Sequence, residues 1–243
     1  MNRTAWGALG ARERLIVALD QPSPEAARHT VAALGDDVAN FKVGKQLFTA
    51  AGPELVRELV RSGFQVFLDL KFHDIPNTVF EAVGSAAALG VDMLTVHASG
   101  GTKMLRRAVE AAAQAVNPPR VLAVTVLTSL SDEDLSEIGV AGRVLDQVLR
   151  LAALAQAAGC DGVVASAREA HELRRELGTG FLIVTPGVRP AGAPLGDQAR
   201  AVTPAEAIAA GATHLVVGRP IVQAPDPAAA VRAILQEVGL ALR

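Results

Sequence analysis

The sequence predicts an α/β fold, a (β/α)8 TIM barrel forming a single domain over residues 1–243, and three observations lead there. Eight short apolar runs, rich in β-branched residues, recur along the 243 residues. Segments of helical character, rich in Ala, Leu, Glu and Arg, separate them. No composition shift and no Ser/Pro-rich linker divides the chain. Strands alternating with helices over this length form a parallel sheet closed on itself, with a doubly wound open sheet as the fallback.

The elements follow in order. The first run, Leu15 to Asp20, leads into Ser23-Pro24-Glu25, a helix N-cap with proline at the first helical position. Phe41 to Gly44, Gln65 to Lys71 and Met93 to His97 are the next three strands, and Arg120 to Leu127 is the fifth. Gly162 to Ser166, Phe181 to Thr185 and His214 to Gly218 complete the set. Before the last of these, Thr203-Pro204-Ala205-Glu206 repeats the cap-and-proline arrangement and adds a capping-box glutamate. Gly35, Gly63, Gly90, Gly159 and Gly211 each stand between a helical run and the next strand, where a left-handed helix end is wanted.

Composition narrows the class. Half the residues are hydrophobic but only 3% are aromatic, so the core is built from Ala, Val, Leu and Ile, as suits strands buried on both faces. The net charge of −2, without a block of like charges, argues against nucleic acid as a partner. Cys160 is the only cysteine, which excludes an internal disulfide, fits a reducing compartment and reads as a small buried residue. The first fourteen residues lack an apolar signal core, and no stretch approaches ~18 uninterrupted apolar residues. A soluble, cytoplasmic protein with no membrane partner is expected.

The chemistry concentrates in Asp69-Leu70-Lys71-Phe72-His73-Asp74-Ile75-Pro76-Asn77-Thr78, which follows an apolar run and puts charges where a buried strand ends. Side chains alternate along a strand, so Asp69 and Lys71 share a face while Asp74 lies beyond the strand. Buried charge pairs at best break even energetically, so a core alone has no use for them. An ordinary ion pair at a strand edge is the plain alternative. Other strand ends point the same way: Asp20, Lys42, His97, Thr128 with Ser129, Arg189, and Gly218 with Arg219. Gly218-Arg219-Pro220 joins a glycine that permits close approach to a guanidinium suited to an oxyanion, which makes a phosphate site with Arg189. The Gly- and Pro-punctuated stretch from Pro190 to Gly196 reads as a lid. His73 and His97 lack zinc-ligand spacing, so no metal site is assigned, and Ser99-Gly100-Gly101 needs no more than a tight turn.

Taken together, these residues resemble the orotidine 5′-phosphate decarboxylase family over essentially the whole chain. The resemblance rests on the run ending in Asp20, Phe41-Lys42-Val43-Gly44, the decapeptide from Asp69 to Thr78, Leu127-Thr128-Ser129, Thr185 to Pro190 with Asp197-Gln198, and Val217-Gly218-Arg219-Pro220. It implies a homodimeric barrel that converts orotidine 5′-phosphate to UMP and CO2 in de novo pyrimidine biosynthesis, with no metal or organic cofactor. It further implies that Lys42, Asp69, Lys71 and Asp74 form the catalytic charge array, and that Lys71 donates the proton to C6. Asp74, Ile75 and Thr78 would reach the neighbouring subunit's site, and all ten residues from Asp69 to Thr78 count as substrate-binding. Asp20 and Lys42 would hold the ribose, Thr128 and Ser129 the pyrimidine, and Arg189, Gln198, Gly218 and Arg219 the phosphate.

Other readings stay open. A Mg2+-dependent sugar-phosphate barrel of the hexulose-phosphate synthase or ketogulonate-phosphate decarboxylase kind shares the D-x-K-x-x-D strand, but generally has an acidic group at the position of Lys42. A non-catalytic nucleotide-binding barrel would keep the charges for sensing a ligand. A scaffolding role has only the Ala-rich composition in its favour.

Overall fold

The computed structural model describes residues 9–190 and 202–243. Eight parallel strands close in chain order: β1 (Leu15–Ala18), β2 (Asn40–Gly44), β3 (Gln65–Phe72), β4 (Met93–His97), β5 (Arg120–Val124), β6 (Gly162–Val164), β7 (Leu182–Pro186) and β8 (His214–Val217). The ring shuts where Leu15 and Val17 of β1 pair with Leu215 and Val217 of β8. Each strand is followed by a helix: α1 (Pro24–Leu34), α2 (Lys45–Arg61), α3 (Pro76–Ala87), α4 (Gly101–Ala113), α5 (Val144–Ala157), α6 (Ala167–Leu177), α7 (Pro204–Ala209) and α8 (Pro227–Ala241). Short helical turns at Ala11–Arg14, Asp132–Glu137 and Arg219–Val222 interrupt the connections. None of the described helices is long and apolar enough to cross a membrane.

All eight expected strands are present, and the barrel replaces the open-sheet alternative. Their ends shift: β1 stops at Ala18, β5 at Val124 and β6 at Val164, short of Asp20, Leu127 and Ser166. At those points the ladder ends and the chain turns across the barrel mouth, while the apolar character of the sequence runs on. Ser23 and Thr203 cap their helices as expected, with the full capping box at Thr203 and Glu206. The five glycines expected at helix ends all have positive φ. A break that the sequence reading lacked lies inside α2, where Gly52, at φ 65°, turns the chain ahead of Pro53.

Two apolar layers hold the sheet. Outward-facing residues such as Val17, Phe41, Leu68, Leu94 and Ile183 pack under the helices, and Phe41 meets Phe64 edge-on at 5.0 Å. Inward-facing Ile16, Ala18, Phe67, Met93, Leu122, Leu182, Val184 and Val216 fill the barrel. Cys160 is buried as expected, and burial pushes its thiol up to about 12.

The base of the barrel is fastened by a repeated device. Asn40, at the start of β2, donates to the Leu15 carbonyl of β1 at 3.2 Å. Just ahead of β4, Asp92 accepts from the Val66 N–H of β3 at 2.9 Å, and ahead of β6 Asp161 accepts from Val121 of β5 at 2.9 Å. Ahead of β8, Thr213 accepts from Ile183 of β7 at 3.1 Å and returns a bond to its carbonyl at 2.9 Å. Buried backbone groups at strand ends need partners, and these short polar side chains supply them. The opposite end is thereby left to the loops and the site.

Candidate active site

Above the apolar layers a cavity of about 510 Å³ opens at the C-terminal ends of the strands. Ala18, Phe67, Val124, Val164 and Val216 line its apolar part. Its polar wall includes Asp20, Lys42, Asp69, Lys71, Thr128, Arg189, Gly218 and Arg219, all expected from the sequence. Gln46, at the start of α2, and Gln223, just past the Arg219–Val222 turn, also face it, and neither was expected. A lone glutamine beside a helix start carries no sequence signal that separates it from a surface residue.

One side of the cavity is a chain of alternating charge. Asp20 Oδ1 lies 2.8 Å from Lys42 Nζ, Lys42 Nζ lies 3.7 Å from Asp69 Oδ2, and Asp69 Oδ2 accepts from Lys71 Nζ at 2.6 Å. The side chains of Lys42 and Asp69 are only 10% and 11% exposed, against 53% for Asp20, so the array runs from solvent into the barrel. Burial pushes the Asp69 carboxyl up, but the Lys42 and Lys71 ammoniums and hydrogen bonds from Lys71 and Thr95 outweigh it and hold Asp69 below the usual carboxylate range. Asp69 is therefore an anion clamped between two cations.

The strand that carries Asp69 and Lys71 pairs irregularly with β4. Leu68 pairs with Leu94, but the next aligned pair is Phe72 with Val96, so β3 uses four residues where β4 uses two. Lys71 sits in this bulge with φ 53°, the sole described non-glycine residue with positive φ. The expected shared face holds, since Asp69 and Lys71 both line the cavity while Leu68, Leu70 and Phe72 pack outward, but the strand that carries them is irregular and not regular. Thr95 of β4 holds the bulge, accepting the Lys71 backbone N–H at 2.8 Å and donating to Asp69 Oδ1 at 3.0 Å. Sequence reading missed Thr95, although a hydroxyl in the middle of an apolar strand was the available signal.

The rest of the decapeptide lies outside this cavity. Leu70 and Phe72 pack against the outer apolar layer. His73 is exposed and its ring lies 5.2 Å from that of His97, which burial, ahead of nearby positive charge, lowers to about 4. Asp74 is exposed and accepts from the N–H of Ile75, which is itself 67% exposed; Pro76, Asn77 and Thr78 open α3. Ser129 is exposed and does not line the cavity, whereas Thr128 does. Gln198, and the expected lid apart from Pro190, lie outside the described residues.

Across the cavity, Arg189 is 8% exposed, and burial, then the charge of Arg219, lowers its guanidinium from the usual value. Two guanidiniums close enough to oppose each other favour an anion between them. Among the described residues, no group of three or more His, Cys, Asp and Glu side chains is placed to hold a metal ion. In the array itself, the Lys42 ammonium contacts both Asp20 and Asp69.

Residues 13–234 match the family model described as Orotidine 5′-phosphate decarboxylase / HUMPS family. The chain belongs to this family. Among orotidine 5′-phosphate decarboxylases, that of Idiomarina loihiensis is 55% identical over 229 residues, covering 94% of this chain and 99% of the relative. The enzyme of Halorhodospira halophila is 57% identical over 228 residues, covering 94% and 97%. The crystal structure of the Lactobacillus acidophilus decarboxylase superposes with a TM-score of 0.83 at 41% identity, covering 92% of this chain and 98% of that one. Membership in the orotidine 5′-phosphate decarboxylase / HUMPS family thus spans the barrel and every strand that contributes to the charge array.

Proposed function

We propose that the chain converts orotidine 5′-phosphate to UMP and CO2 in pyrimidine biosynthesis, in the cytoplasm and without a cofactor. The observation that carries this reading is the Lys71 ammonium, 2.6 Å from Asp69 beside an apolar cavity surface. The bond from C6 to the carboxylate breaks, CO2 leaves, and the electron pair stays on C6 with no neighbouring carbonyl to take it up. A fixed ammonium meets that charge without reorganisation. Lys71 then gives its proton to C6, forming the C–H bond of UMP, and regains a proton from solvent.

The other groups follow from their places. Asp69 stands near the departing carboxylate, Asp20 and Lys42 hold the ribose, Thr128 approaches the pyrimidine, and Arg189, Arg219 and the Gly218 backbone take the phosphate. Phosphate binding far from C6 supplies energy that is realised at the transition state. We also propose a homodimer in which Asp74, Ile75 and Thr78 reach the neighbouring site, which accords with their exposure and their position outside their own chain's cavity. A Mg2+-dependent enediolate reaction fits less well, because the Lys42 ammonium is ion-paired with Asp20.

The test is loss of orotidine 5′-phosphate absorbance, run with and without EDTA, with Lys71→Ala as control. Rapid, chelator-insensitive formation of UMP that vanishes in the variant is expected. Absence of conversion by the unaltered protein would overturn the reading, and conversion only with Mg2+ present would move it to the sugar-phosphate branch.

A further inference from the structure

The Thr95 hydroxyl closes a ring that begins and ends on Lys71. The Lys71 backbone N–H donates to Thr95 Oγ1, Thr95 Oγ1 donates to Asp69 Oδ1, and the other oxygen of the same carboxylate, Oδ2, accepts from Lys71 Nζ. Thr95 is fully buried, at 0% exposure, so neither of its bonds is exchanged with water. A hydroxyl has one proton to give and lone pairs to receive, and both capacities are used here in the one direction that orders the ring.

The ring also answers a backbone question. Lys71 adopts φ 53°, a conformation that costs a non-glycine residue free energy and persists only where its surroundings enforce it. The β3–β4 ladder cannot enforce it, because its register breaks between Leu68 and Phe72. The bond from the Lys71 N–H to Thr95 stands in for the missing ladder bond.

We propose that Thr95 is a positioning residue: its hydroxyl fixes the left-handed backbone of Lys71 and the rotation of the Asp69 carboxylate together, and so sets where the ammonium stands relative to the reacting carbon. The inference rests on the decarboxylase reading for its kinetic form. Thr95 is fully buried and does not line the cavity, so its loss acts through geometry and not through binding. Misplacing a reacting group by a fraction of an ångström is costly to rate, while ribose and phosphate contacts, made elsewhere, are untouched.

Thr95→Val removes the hydroxyl with little change of shape, Thr95→Ala does so without any added bulk, and Thr95→Ser restores it. The expected result is a fall in kcat of about 10- to 100-fold in Val and Ala, with UMP affinity by calorimetry within about threefold of the unaltered protein and Ser near normal. A purely structural role would lower thermal stability without this split between kcat and affinity. Wild-type kcat in folded Thr95→Val or Thr95→Ala protein would overturn the inference while leaving the decarboxylase reading intact. A crystal structure of Thr95→Ala gives a readout independent of turnover. Lys71 is expected to leave positive φ or its ammonium to withdraw from Asp69; unchanged backbone and unchanged contact would overturn the inference even if orotidine 5′-phosphate proved not to be the substrate.

Discussion

Gly44 lies against the Lys42 ammonium: a Cβ built on Gly44 would stand 2.9 Å from Lys42 Nζ and 3.1 Å from Asp20 Oδ1. Its backbone, at φ −95° and ψ 179°, is extended and open to any residue. The demand for glycine here comes from the ion pair packed over it and not from the chain's own conformation.

Gly44→Ala should therefore fold normally and work badly. The methyl displaces the Lys42 ammonium, the Asp20–Lys42–Asp69 spacing opens, and kcat/KM should fall about tenfold or more while the melting temperature stays within a few degrees. Gly239→Ala in α8, where an added Cβ has nothing within 4 Å, is the control and should leave activity unchanged. Full activity of Gly44→Ala would show that the ammonium tolerates displacement.

Arg219→Ala should weaken the phosphate end of the site. Loss of a charge-assisted contact costs about 1.5–3 kcal/mol, so kcat/KM for orotidine 5′-phosphate should drop about 10- to 100-fold. With orotidine, which lacks the phosphate, variant and unaltered protein should react alike. An equal loss on both substrates would place Arg219 in some other role.

Lys71→Ala and Asp74→Ala should each be inactive alone and complement each other when mixed. In a hybrid dimer, one site receives an intact Lys71 from its own chain and an intact Asp74 from the neighbour. Random exchange should then restore about one quarter of normal turnover. No recovery, with exchange demonstrated by labelled subunits, would make Asp74 act within its own chain.

Buried His214 and half-buried His97 should make folding stability fall in mild acid. His97 is lowered to about 4 and His214 to about 3, both chiefly by burial, from the ordinary value of 6.5. Their unfolded forms thus take up protons first, so the stability they support is complete above pH 6.5 and is lost as pH falls from there toward 4 and below. Urea unfolding between pH 7 and pH 5 should show stability falling with acid, with a slope approaching about 1.4 kcal/mol per pH unit from His214 and less from the half-buried His97, and His214→Gln should flatten it. An unchanged slope in that variant would rule out His214 as a source.

Much of this molecule was legible in its residues because barrels repeat one unit. The eight strands announced themselves as apolar runs, and Lys42, Asp69 and Lys71 as charges that no core would keep. The juxtaposition of Asp69 and Lys71 was legible, but the irregular strand pairing beneath it was not. A bulge is decided by how two strands pair, and nothing within Asp69-Leu70-Lys71 betrays that β3 takes two residues more than β4. Thr95 left one signal, a hydroxyl within an apolar strand, but its importance depends on a neighbour 24 residues away. Asp74 was recognised as belonging to the cluster, yet within one chain it faces away from the cavity.

The polar side chains at the barrel base carry a consequence for how the ring assembles. Asn40, Asp92, Asp161 and Thr213 reach back 25, 26, 40 and 30 residues, each across one connection to the strand before. Such short chain loops close cheaply, so each strand–helix–strand pair can lock soon after its second strand exists. The contact between β1 and β8, Leu15 against Leu215, has no such shortcut and must gather almost the whole chain. By loop-closure entropy alone, that seam is the costliest ladder of the ring to close.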